Sequence, residues 1–124
     1  MTAGRTALAI AAAGLLATCL LTTGGCATRK PLYDWGHYEA LLYQMYGKPG
    51  TADPATQIAR LTEDIQKADD AGRAVPPGVH AHLGYMYYLQ GNEAAAVREL
   101  EIEKTQFPES TVFVDGMLSR LHQP

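Results

Sequence analysis

The chain has only two cysteines among its 124 residues, Cys19 and Cys26, and none beyond residue 26. Everything downstream therefore lacks the thiols needed for a disulfide or a thiolate metal site. There is no polybasic run, and the formal net charge is −3 with both signs interspersed. Nucleic-acid binding needs a concentrated basic patch, so that class is excluded. A glycine-rich phosphate loop, a serine elbow and a thiol nucleophile placed for catalysis are all missing. Apolar runs of membrane-spanning length are missing too. The longest, residues 7–21, falls short of the roughly twenty residues a spanning helix needs.

That apolar run follows Arg5 and gives way to small residues at 22–25, then Cys26. A charged start, an apolar stretch of this length and a small-residue exit make a secretory signal. Small residues directly before a cysteine resemble a bacterial lipoprotein signal, with Cys26 as the lipidated residue. Thr23 departs from that pattern, since a leucine is usual there. Cys19 is a poorer candidate because Thr18 precedes it. The competing readings are an ordinary signal peptide and a short membrane anchor. The lipoprotein reading predicts a cleaved segment at 1–25, a lipidated cysteine with a short linker at 26–31, and one helical domain at 32–124. Ala27 follows the cysteine, with no aspartate there to resemble an inner-membrane retention signal. The expected address is the outer membrane, anchored in its bilayer through Cys26 and facing the periplasm.

The domain's pattern is helical throughout, with no convincing strand. Residues 32–50 are dense in aromatics, and Tyr38, Leu41, Leu42 and Met45 recur at helical spacing. We predict a helix at 36–46, opened by Asp34 and closed by Gly47. Its rings either pack on the next helices or, Trp35 included, present a surface to a partner. Asp53-Pro54 starts a second helix at 54–71, with Asp53 as cap and Pro54 in the first turn. Ile58, Leu61, Ile65 and Ala68 form its apolar stripe, while Arg60, Glu63, Asp64, Lys67 and Asp69 solvate the other side. Helices at 78–90 and 93–107 follow, separated by Gly91-Asn92, with Asn92 as N-cap. Pro108 stops the fourth helix. Ser110 caps a fifth at 111–122, which should bury Val112, Phe113, Met117, Leu118 and Leu121.

Residues 77–110 have the offsets of one tetratricopeptide unit. Leu83-Gly84, Tyr87, Ala96, Leu100 and Pro108 fall in register. His80 stands where a tryptophan is typical, and Glu103 where a small residue is. Such a unit needs close helix packing, which Gly84 and Ala96 permit. The expected fold is all-α, built of antiparallel tetratricopeptide-like helix pairs, about five helices in all. Glu103, expected to point inward, requires a basic residue or a backbone group as partner.

Gly25-Cys26, PLYDWGHYE from Pro31, VPPGVHAHLGYMYYLQG from Val75 and EKTQFPES from Glu103 together resemble the small bacterial lipoproteins of the domain of unknown function 4810 family. The resemblance covers essentially the whole expected mature chain. It carries over no catalytic residue. Members of that family lie beside genes for other lipoproteins, including one related to the curli secretion lipoprotein. The resemblance therefore implies a theme of envelope assembly or export, and a curli-secretion-like lipoprotein as a candidate partner.

The chemistry-bearing residues point away from catalysis. His80 and His82 lie about 200° apart on a helix and cannot clamp one ion. His80 falls with the core-facing set and His82 with the opposite one. Glu99, Glu101, Glu103 and Glu109 are interleaved with Arg98 and Lys104, as on a solvated face. We expect no enzyme, no cofactor and no metal. The expected role is that of a lipid-anchored adaptor docking an envelope protein. The alternative is a structural or peptidoglycan-associated lipoprotein without a dedicated protein partner. The candidate partner-binding residues are His82, Tyr85, Tyr88 and Leu89 on the third helix, together with Trp35. The third helix shows one face, His80, Leu83, Gly84 and Tyr87, to the core. Its other face is Gly78, Ala81, His82, Tyr85, Tyr88 and Leu89. Whether Tyr85 and Tyr88 pack internally or bind a partner stays open at this level.

Overall fold

A computed structural model describes residues 30–121; the expected signal segment and Cys26 lie outside the described residues. Five α-helices follow in order: α1 Tyr38–Gly47, α2 Pro54–Asp70, α3 Val79–Leu89, α4 Glu93–Gln106 and α5 Thr111–Leu121, with a 3-10 turn Pro108–Ser110 before α5. Among the described residues there is no strand, only an isolated parallel bridge between Tyr33 and Ala74. No described helix is long and apolar enough to cross a membrane.

Local signals explain α2 and α4. The Asp53 carboxylate accepts the Thr56 N–H at 2.9 Å, and Pro54 occupies the first turn of α2. That bond holds the Asp53 carboxyl below its ordinary range. Asn92 accepts the Ala95 N–H at 3.2 Å and starts α4. Gly91, at φ +74°, makes the left-handed turn between α3 and α4.

The starts of α1 and α3 are capped from other helices, and here the structure corrects the sequence. Asp34 does not open α1. It accepts the Gly36 N–H and pairs with Arg73. Gly36, at φ +45°, cannot be helical, so α1 begins later, at Tyr38. Its cap is Asp64 of α2, which accepts the His37 N–H at 2.6 Å and its Nδ1–H at 2.9 Å. Asp64 is therefore buried rather than solvating α2.

Glu103 of α4 does the same for α3. Its carboxylate accepts Gly78 N–H at 2.7 Å and Ala81 N–H at 3.3 Å. The backbone is thus the partner this inward carboxylate required. Glu99 is buried as well, accepting the His80 Nδ1–H at 2.9 Å. The inner side of α4 is therefore an acidic seam against α3, not a solvated face.

These pairs show that α3 and α4 are antiparallel, since Gly78 meets Glu103 while His80 meets Glu99. The helices nearly touch at Gly84. A Cβ there would stand 3.0 Å from the Ala96 carbonyl oxygen and 3.0 Å from Leu100 Cγ. Helix α3 is buried throughout residues 79–84 and again at Met86, while Tyr85, Tyr88 and Leu89 stay exposed. Val79 and Leu83 join Leu41, Leu61, Ala68 and Val75 in one cluster. Ala81 joins Leu100 and Val114 in another, with Met117, Leu118 and Leu121 packed against it.

In α5 the buried face differs from the expected one. Val112 and Phe113 are exposed, and Val114 is fully buried in their place. Val114, Met117, Leu118 and Leu121 follow the i, i+3, i+4, i+7 rhythm, which leaves residues 112 and 113 outside it. Ser110 does not cap α5. It ends the 3-10 turn, and its buried hydroxyl has no hydrogen-bond partner among the described residues.

Candidate functional site

Three helix faces converge on an apolar groove of about 630 Å³. Helix α1 contributes Tyr38, Leu42, Met45 and Tyr46; α5 contributes Phe113, Met117, Arg120 and Leu121. Both sets repeat at i, i+4, i+7, i+8, so each is a single stripe on its helix. Helix α3 lies between them with Gly78, Ala81, His82, Gly84, Tyr85 and Tyr88, and Leu100 of α4 reaches the floor.

The polar groups of the floor are tied to the fold. His82 is buried, and its Nε2 lies 2.8 Å from Gln57 Oε1. Gln57 already donates its amide N–H to the Ala52 carbonyl at 2.9 Å, so its oxygen faces the imidazole and Nε2 carries the hydrogen. Burial pushes the His82 pKa below the ordinary histidine value, which keeps the ring neutral at pH 7. Tyr38 sets its ring edge-on to His82, centroids 5.9 Å apart. Its hydroxyl lies over the start of α3, where a Cβ on Gly78 would be 2.5 Å from it. Burial raises the Tyr38 pKa, and the nearby Glu103 charge and Tyr46 add to that.

The walls are different. Tyr85 and Tyr88 keep 38% and 44% of their surface exposed, and Tyr46 and Phe113 keep 77% and 63%. These rings leave apolar area in water that a bound chain would cover. Among the groove residues only Arg120 carries a full charge, and no described residue forms an ion pair with it.

Of the predicted partner-binding residues, Tyr85 and Tyr88 line the groove and remain accessible. His82 also lines it, but as a buried, hydrogen-bonded ring rather than an exposed contact. Leu89 is exposed yet stands outside the groove. Trp35 is outside as well. It stacks on Tyr38 at 6.4 Å and 14° and receives Tyr33 edge-on. Five of the six residues assigned from the sequence to the outer face of α3 line the groove; Leu89 alone does not. The α1 and α5 walls were missed as binding residues. Their matched i, i+4, i+7, i+8 spacing was the available signal.

The described histidines are each engaged by a partner within the fold. His80 is tied to Glu99, His82 to Gln57 and His37 to Asp64. Among the described residues no three His, Cys, Asp or Glu side chains cluster to hold a metal. What the site offers is apolar area, ring hydroxyls and one guanidinium. No curated protein and no solved structure matches the chain. Residues 32–117 match the family described as Domain of unknown function (DUF4810), a span that takes in all of α1 to α4 and most of α5. The chain, with α1, α3 and half of the α5 groove residues inside that span, belongs to the domain of unknown function 4810 family.

Proposed function

We propose that the protein is a lipid-anchored envelope lipoprotein acting as a protein–protein interaction adaptor in outer-membrane assembly or export. The observation that carries the reading is the groove, whose apolar floor is roofless and whose tyrosine and phenylalanine walls remain wet. Aromatic side chains flanking an apolar trough are typical anchors for a protein partner. The close approach of α3 and α4 at Gly84 and Ala96 supports a tetratricopeptide-like pair. A single such unit is short for an independent array, which favours completion by another protein. Cys26 supplies the anchor, holding the domain in the outer membrane on its periplasmic face.

The test pairs recovery with stability. Full-length wild-type protein and the Tyr85→Ala, Tyr88→Ala double variant are crosslinked in cells and purified through a tag. The adaptor reading expects the same envelope protein with wild type and its loss with the variant, whose melting temperature stays within a few degrees. Sedimentation with peptidoglycan alone, without a protein partner, would favour the structural alternative. A double variant that unfolds would make these rings part of the core.

A further inference from the structure

Resting on the docking reading, we infer that the groove takes an amphipathic helix of the partner, and that this helix brings an acidic side chain to Arg120. From Gly78 to Tyr88 the floor runs along three turns of α3, about 15 Å at 1.5 Å per residue. A helix about 10 Å across occupies roughly 1,200 Å³ over that length, so a groove about half that size accepts one face of it. Such a face needs apolar anchors at i, i+3 or i+4, and i+7, the spacing that lines both walls here. The walls favour a helix over a lipid tail. Tyr46, Phe113, Tyr85 and Tyr88 are too exposed to enclose a single chain, but stand as rims on either side of a broader body.

Charge sets the orientation. The walls are otherwise uncharged, and Arg120 stands towards the C-terminal end of the α5 stripe without an ion-pair partner among the described residues. The cation that α4 presents to α5 is already paired, since Lys104 bonds Asp115 at 2.8 Å. A guanidinium beside an apolar trough selects a carboxylate at one end of the bound helix and fixes its direction.

The experiment is a selection. A displayed library of amphipathic helical peptides is panned on the full-length protein in lipid nanodiscs. Enriched peptides should share apolar anchors at helical spacing and an aspartate or glutamate at one fixed offset from them. Arg120→Glu should weaken such a peptide about three- to tenfold, and changing its acid to lysine should restore binding to the variant. Tyr85→Ala with Tyr88→Ala should abolish binding of both peptides. Equal binding to wild type and Arg120→Glu would overturn the charge contact and leave groove docking standing. Failure to enrich any peptide, or peptides indifferent to the double tyrosine variant, would overturn the helix as occupant. If the Arg120 and tyrosine variants instead change only the retention of nanodisc lipid, the groove is a lipid site and the inference fails.

Discussion

Replacing Glu103 should be the most damaging single polar substitution in the domain. The residue is 2% exposed, and its side chain joins two helices through the backbone at the start of α3. Glu103→Ala removes the acceptor for the Gly78 N–H at 2.7 Å and the Ala81 N–H at 3.3 Å. A buried donor left unpaired costs about 1–3 kcal/mol. The Gly78 bond is short and charge-assisted and should account for the upper part of that range; the longer Ala81 bond adds less. The void left by the side chain adds a further penalty. We therefore expect a loss of about 2–4 kcal/mol. At about 4–8 °C per kcal/mol for a domain of this size, the melting temperature should fall by roughly 8–32 °C. Glu103→Gln keeps one acceptor oxygen but turns an amide donor toward the other N–H, and should cost about half as much. Thermal unfolding of the three full-length proteins, followed by circular dichroism, gives the ranking. A second readout is specific to the geometry. The Glu103 charge helps raise the Tyr38 pKa, so Glu103→Gln should bring the Tyr38 phenol titration down toward its ordinary value. A Glu103→Ala protein within 0.5 kcal/mol of wild type would refute the capping role.

Other consequences can be measured independently. Gly84→Leu must displace the Ala96 carbonyl and the Leu100 side chain, which approach a Cβ at 3.0 Å, and should cost about 1–3 kcal/mol; an unchanged thermal transition would mean that α3 and α4 are not so tightly apposed. The depressed His82 pKa makes stability pH-dependent: the unfolded chain takes up a proton near its ordinary value of 6.5 while the folded one resists. That contribution is complete above about pH 6.5 and is lost as pH falls toward the folded value. Urea midpoints should therefore drop between pH 7.5 and 5, and drop less in His82→Asn; equal slopes would remove His82 from the account. Cys26→Ser should release the protein from the outer membrane, because several acyl chains hold where one is marginal. Membrane fractionation that finds the variant distributed like wild type would count against lipid anchoring.

What could be read from the residues was what is local. Asp53-Pro54, the Ile58, Leu61, Ile65, Ala68 stripe and the Gly91-Asn92 break all act within a few residues, and α2, α3 and α4 begin and end within one residue of expectation. The tertiary caps were less accessible. Asp64 and Glu103 serve helix starts 27 and 25 residues away, at His37 and Gly78, and capping rules consider only neighbours. In α5, apolar residues occur on both sides of the helix, so periodicity alone did not choose between Val112-Phe113 and Val114. Packing against Ala81 and Leu100 made that choice. The α3 side of the groove was legible as a helix face. The groove itself was not, because it exists only once α1 and α5 flank that face. His82 went inside because Gln57 and the Tyr38 ring meet it there, two contacts no linear pattern reveals.

Site-specific photocrosslinking in intact cells addresses the adaptor claim most directly. Phe113 and Val112 are adjacent in sequence and both exposed, at 63% and 87%, but only Phe113 lines the groove. A photoreactive residue at 113 should capture one envelope protein, and the same residue at 112 should not. Capture should also disappear when Tyr85 and Tyr88 are replaced by alanine. Equal crosslinking from both positions, or none from 113 in the correctly localised protein, would contradict the groove as the docking surface.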